Sequence, residues 1–198
     1  MILPNDYDST KTYTGQGSLT PLPIGGHICR IVGARAGKFS TGNDMIEVAF
    51  DIAEGGEFDG RFKQKFDLDR ASRADAKWPN GGMFRAGILN RSGRTNSFFK
   101  GLITSIEESN AGYSFKGSGC DESTLKGKMV GFNFGEEEYM SNSGEIRTAV
   151  KPFYAVSVAT VREGIEPPRK KEYRPKPDDM AARGFADVTA EAMPELPF

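Results

Sequence analysis

Residues that build metal sites and covalent catalytic centres are scarce in this sequence, which has one histidine and two cysteines among its 198 residues. His27 stands where an apolar stretch begins, and Cys29 and Cys120 lack the close spacing of a metal-ligand pair. We therefore interpret all three as structural residues. A histidine-based triad and a multi-histidine metal site both lack their other members. We expect no metal, no cofactor and no enzymatic activity.

Long apolar runs are also absent. No stretch reaches about 18 apolar residues, the length that a membrane-spanning helix needs. Residues 1–6 lack the basic region and apolar core of a secretory signal. We therefore expect a cytoplasmic protein with no membrane partner. The apolar fraction of 37% and the 24 glycines favour a loop-rich, all-β domain over a helical bundle.

The net charge of −1 conceals a strong separation of charge along the chain. Residues 61–100 contain ten lysines and arginines and three aspartates. From Asp178 onward the chain contains five acids and one arginine. A basic body followed by an acidic tail is typical of proteins that bind polyanions.

Changes in composition divide the chain into three regions. Residues 1–23 are polar and rich in turn formers, which predicts a flexible N-terminal arm. Residues 24–162 contain the periodic apolar segments of a folded domain. Residues 163–198 begin with a proline-rich, basic stretch and end acidic, which predicts a flexible linker and a C-terminal tail.

Five strands and one helix are expected in the folded domain. Apolar alternation or apolar content indicates strands, and the spacing of the apolar residues over 98–109 indicates a helix. Residues 70–97 are expected to be an irregular loop. A helix between the third and fourth of five strands is the order of an OB-fold, a five-stranded, partly open β-barrel. The sequence therefore predicts an OB-fold-like barrel with one helix and with strands at 27–34, 45–52, 61–68, 127–139 and 145–162.

The basic stretch also contains aromatic residues, and single-stranded DNA binding needs both kinds of side chain. Cations neutralise phosphates, and flat rings stack on bases without reading their sequence. Arg61, Lys63 and Lys65 alternate, so on a strand they would share one face. That face is the predicted DNA groove.

The role of the aromatic residues in this stretch stays open. Phe62 and Phe66 fill the barrel or face the groove, depending on the register of their strand. Trp78 and Phe84 lie among proline, asparagine and glycine, where an exposed stacking platform and a loop-packing role are equally consistent with the sequence.

Residues 26–32, 38–48 and 60–62 resemble the corresponding parts of phage-encoded single-stranded DNA-binding proteins from replication modules. In those proteins a first strand leads into a loop rich in lysine, serine and glycine. An alternating second strand follows, and a Gly-Arg pair opens the third. The C-terminal Glu-Leu-Pro-Phe resembles the acidic tip of bacterial and phage single-stranded DNA-binding proteins, which commonly ends Asp-Ile-Pro-Phe. The resemblance implies that Lys38 and Phe39 flank the DNA and that the tip recruits replication or recombination proteins.

Two other classes of function stay open. A phage structural or assembly β-barrel protein would assemble and would not bind DNA. A nuclease would use Asp67 and Asp69 with a divalent ion. A homo-oligomer is compatible with the sequence. The predicted DNA-binding residues are Lys38, Phe39, Arg61, Phe62, Lys63, Lys65, Arg73, Lys77, Trp78, Phe84 and Arg85, and the predicted partner-binding residues are Glu195, Leu196, Pro197 and Phe198.

Overall fold

A computed structural model describes residues 20–141 and 143–175. Most of the predicted arm and tail, with the tip residues 195–198, lies outside the described residues. Of the helices in the described ranges, none is long and apolar enough to cross a membrane. The strands and helices, in chain order, are β1 (Gly25–Lys38), β2 (Asp44–Ile52), α1 (Arg61–Ser72), β3 (Met83–Gly87), α2 (Ser97–Ser109), β4 (Met129–Met140), β5 (Ile146–Val156) and α3 (Val158–Glu163).

The five strands form one sheet in the order β3-β2-β1-β4-β5, and each neighbouring pair is antiparallel. The 14-residue strand β1 pairs with β4 through its first half and with β2 through its second half. Its register with β2 shifts between Ile31 and Gly33. The prediction of an all-β fold is confirmed at this level. Within the described residues no strand pairing joins β3 to β5, so the sheet is not closed into a barrel.

The prediction of a strand over 61–68 is wrong, because these residues form the first two turns of α1. Gly60 has a φ of 68°, which turns the chain into the helix at no steric cost. Asp51 of β2 then accepts hydrogen bonds from the backbone N–H groups of Phe62 at 2.8 Å and Lys63 at 3.0 Å. The carboxylate satisfies two of the unpaired donors at the start of the helix and fixes α1 against β2.

The third strand is instead the five-residue β3, which lies inside the stretch predicted to be an irregular loop. The predicted helix over 98–109 is confirmed as α2, where the Asn96 side chain accepts a hydrogen bond from the backbone N–H of Phe98. The predicted fifth strand ends at Val156, because Ser157 caps a short further helix, α3. The described residues contain three α-helices rather than the single helix predicted.

Aromatic rings from β2 and β4 form the centre of the core. Phe50 and Phe132 are fully buried and stack with their ring centroids 4.3 Å apart. Leu102 and Ile106 of α2 are buried in the same cluster, so the helix covers one face of the sheet. The opposite face of β1, β2 and β3 carries polar side chains, among them Arg35, Glu47 and Arg85.

The beginning of the predicted flexible linker lies against β4. The backbone N–H of Lys171 donates to the carbonyl of Glu136 at 2.9 Å, and the N–H of Glu138 donates to the carbonyl of Lys171 at 2.8 Å. Lys171 thereby forms a parallel bridge with Glu137 on β4. The buried side chain of Asn133 donates to the carbonyl of Glu166 at 2.8 Å. We call residues 165–173 the docked segment.

Candidate nucleic-acid interface

The outward face of β1, β2 and β3 carries a hollow of about 680 Å³ with a floor of small residues. Gly33 of β1 lies opposite Ala49 of β2, and a Cβ added at Gly33 would meet nothing within 4 Å. The small residues Gly33 and Ala49 leave room for a ligand close to the backbone, beside Met83 of β3. We call this surface the platform, and its lining residues are Gly33, Ala34, Arg35, Glu47, Ala49, Lys77, Trp78, Asn80, Met83 and Arg85.

Three charged residues form a row across the platform. The strand register places Arg35 opposite Glu47 and Glu47 opposite Arg85. The Oε1 atom of Glu47 accepts from Nε of Arg35 at 2.7 Å and lies 2.6 Å from its Nη2. The Oε2 atom accepts from Nε of Arg85. The side-chain exposure of Glu47 is 6%, against 76% for Arg35 and 41% for Arg85.

The row lowers the pKa of the Glu47 carboxyl. Burial by itself raises this pKa, but the hydrogen bonds and positive charges of Arg85 and Arg35 outweigh it and hold the pKa below its ordinary value. Glu47 is therefore ionised at neutral pH, and the row carries one net positive charge.

Trp78 forms one rim of the platform and also packs against the domain. Its indole N–H donates to the carbonyls of Gly82 at 3.1 Å and Phe50 at 3.3 Å, and its ring lies 5.5 Å from that of Phe66. The indole is half-buried, so one part of it packs against the core and another part stays accessible at the rim. The neighbouring Lys77 is exposed and adds a cation beside the ring.

A second hollow, of about 620 Å³, lies between α1 and the hairpin of β4 and β5. Arg61 and Lys65 line it from α1, and Tyr139 and Lys151 line it from the hairpin. Lys151 pairs with Glu137 at 2.9 Å, and its Nζ lies 5.7 Å from the centre of the Tyr139 ring. The phenol ring is 40% exposed. We call this second hollow the groove.

The platform and the groove meet at one residue. Asn80 lines both hollows and begins the short turn Asn80–Gly82, which leads into β3. The two hollows therefore adjoin at Asn80, and together they form the candidate surface. Three cations line each part: Arg35, Lys77 and Arg85 line the platform, and Arg61, Lys65 and Lys151 line the groove.

Six of the predicted DNA-binding residues lie away from this surface or inside the core. Phe62 and Phe84 are only 6% and 5% exposed, so they are core residues, although Phe62 also lines the groove. Lys63 pairs with Asp67 at 2.5 Å on another face of α1. Asp67 is one of the two acids considered for a nuclease, and this ion pair engages it. Arg73 is exposed at the C-terminal end of α1 and lines neither hollow.

Lys38 and Phe39 lie at the turn between β1 and β2. Lys38 pairs with Asp44 at 2.9 Å. Phe39 lines a third hollow, of about 660 Å³, together with Asn90 and Arg91 from the loop after β3. This hollow shares no lining residue with the platform or the groove. The resemblance implied that Lys38 and Phe39 flank the DNA. The structure places them at another end of the sheet, away from the platform and the groove.

Sequence reasoning missed four charged or aromatic residues of the surface: Arg35, Glu47, Tyr139 and Lys151. Glu47 alternates with the buried Ile46 and Val48, which is a readable signal that it faces outward. Its two arginine partners become visible only once the strand register is known. No protein-family model matches the chain, and no curated protein sequence matches it.

Proposed function

We propose that this protein is a non-enzymatic, sequence-tolerant single-stranded DNA-binding protein that acts in phage DNA replication or recombination. The observation that carries the proposal is that the platform and the groove adjoin at Asn80 and that three cations line each of them. The two hollows combine these cations with the rings of Trp78 and Tyr139, and the platform contains the small residues Gly33 and Ala49. The acidic groups near it are neutralised by arginine or lysine, as Glu47 and Glu137 are.

Each part of the surface suits one part of a single strand. Cations that contact phosphates release the counterions of the DNA, which favours binding. An indole or phenol ring at the rim offers a stacking surface that accepts every base, worth about 1–3 kcal/mol per stacked base. A flexible single strand can follow a bent, concave path, whereas a duplex is stiff over about 150 base pairs. An OB-fold covers about 4–16 nucleotides, and we propose a footprint in that range.

We also propose that the sheet is an OB-type barrel with an open seam. The support is the position of α2 between β3 and β4 and the sharing of β1 between β2 and β4. The seam would lie between β3 and β5, where the turn Asn80–Gly82 contacts β5. A Cβ added at Gly81 would lie 3.8 Å from the carbonyl oxygen of Val150. Asn80, which joins the platform to the groove, therefore stands at this seam.

The experiment that tests DNA binding uses the single tryptophan of the chain as its reporter. Trp78 lines the platform, so we expect oligo-dT to quench its fluorescence. The logarithm of the binding constant should fall linearly with the logarithm of salt concentration, with a slope of about −0.7 per phosphate contact. The absence of binding in low salt would refute the proposal, and would favour a phage assembly protein if the chain then forms oligomers.

For the C-terminal residues 195–198 we propose a role in recruiting replication or recombination proteins in the cytoplasm, that of the host if the protein is phage-encoded. The segment combines the apolar side chains of Leu196 and Phe198 with the carboxylate of Glu195, which suits a partner pocket with a basic rim. Deletion of the last eight residues is expected to abolish pull-down of purified replication proteins and to leave the affinity for oligo-dT unchanged or higher. An equal pull-down from the shortened chain would contradict this role.

A further inference from the structure

The row of Arg35, Glu47 and Arg85 uses both oxygens of one carboxylate to hold two guanidinium groups. Neighbouring strands lie about 4.8 Å apart, so the backbones that carry the two arginines are about 10 Å apart. Arg35 directs its Nε and Nη2 groups to Glu47, and Arg85 directs its Nε. Each guanidinium therefore keeps further N–H donors for a ligand, because the planar group has five.

The exposures within the row show how the arginines lie. The Glu47 side chain is almost entirely covered, although it stands on the outward face of β2. The guanidinium groups bonded to it therefore lie over Glu47 in the row next to Gly33 and Ala49, while 76% of the Arg35 side chain and 41% of the Arg85 side chain stay accessible to a ligand. Arginines held in this way are preorganised for a ligand that lies on the platform. These arginines do not extend toward a ligand that stays above the platform.

We propose that Glu47 is a positioning residue that determines specificity for single-stranded over duplex DNA. This inference rests on the DNA-binding function proposed above. By holding Arg35 and Arg85 down on the platform, Glu47 makes their remaining donors accessible to the phosphates of a strand that lies on the floor. The phosphates of a stiff duplex, which meets only the rim of a concave surface, stay out of their reach.

The Glu47→Gln variant tests the proposal. Glutamine removes the negative charge and one of the two acceptors, so at least one arginine is released and extends into solvent. One additional duplex phosphate contact steepens the salt slope of duplex binding by about 0.9, which corresponds to about eightfold tighter duplex binding at 0.1 M salt. We expect the ratio of oligo-dT affinity to duplex affinity to fall by about tenfold, with the melting temperature measured in parallel.

Glu54→Gln is the matched control. Glu54 pairs with Arg162 at 2.7 Å and lines neither the platform nor the groove, so its replacement changes the total charge equally. We expect this variant to bind with an unchanged affinity ratio. An unchanged ratio in Glu47→Gln, or a fall equal to that in Glu54→Gln, would overturn the positioning role and leave DNA binding intact.

A double variant, Arg35→Lys with Arg85→Lys, keeps the proposal testable if Glu47→Gln does not fold. Lysine retains each charge but lacks the planar fork that bonds to Glu47 and to phosphate together. We expect weaker oligo-dT binding and a lower affinity ratio at an unchanged net charge. Equal ratios in the double variant and the wild type would overturn the proposal. Failure of the wild type to bind oligo-dT at all would instead refute the proposed function.

Discussion

Replacing Arg61, Lys65 and Lys151 together by glutamine is expected to lower the affinity for oligo-dT by about 100-fold at 0.1 M salt. All three side chains line the groove. Each lost phosphate contact reduces the salt slope by about 0.7, so the slope should become shallower by about 2. Fluorescence titration of Trp78 over a series of salt concentrations measures the affinity and the slope together. Glutamine retains much of the length of each side chain and thereby limits the loss of packing.

The control for this variant removes three exposed lysines that line neither the platform nor the groove: Lys100, Lys116 and Lys126. Their replacement by glutamine changes the net charge by the same amount. A general attraction between a cationic protein and DNA would weaken equally in both variants. An equal loss of affinity would therefore contradict a role of the groove in binding, whereas a loss confined to the first variant supports it.

Phe50→Ala is expected to lower the free energy of unfolding by about 3–5 kcal/mol. The ring is fully buried and contacts three other rings, with centroid distances of 5.7 Å to Phe62, 4.3 Å to Phe132 and 6.1 Å to Phe134. Its removal leaves a cavity at the point where α1, β2 and β4 meet. Urea unfolding followed by far-UV circular dichroism measures the change.

Phe98→Ala is the matched control for the core variant, because it removes the same ring from a helix position that is 54% exposed. We expect its effect on the free energy of unfolding to stay within about 0.5 kcal/mol. Similar losses in the two variants would contradict the assignment of Phe50 to the centre of the core.

Apolar alternation made β2 predictable, whereas α1, which is polar on nearly all sides, was mistaken for a strand. Ile46, Val48 and Phe50 alternate with outward residues, so β2 was readable. In α1 only Phe62 is buried, and polar residues cover the remainder of the helix. An apolar residue at every fourth position, as at Phe62 and Phe66, fits a helix as well as a strand. The choice between helix and strand is decided by the carboxylate of Asp51, which caps the start of α1. Asp51 belongs to β2, so this segment alone does not reveal it.

The candidate site was predictable only where one segment of sequence supplies it. Arg61, Lys65, Lys77 and Arg85 come from the basic stretch, and its charge alone pointed to them. The same reasoning included Phe62 and Phe84, because burial depends on register and helix packing rather than on composition. Lys151 reaches the groove from a hairpin that is distant in sequence. Lys151 comes close to Arg61 and Lys65 only when β4 pairs with β5 and α1 docks on the domain.

The docked segment also sets where the domain can be cut. Removing residues after 163, at the boundary that composition suggests, would expose the Asn133 amide and the edge of β4 near Glu137. A free strand edge of this kind pairs readily with other chains and promotes aggregation. A fragment intended for biophysical work should therefore extend at least to Tyr173, whose N–H donates to Glu138 at 3.1 Å.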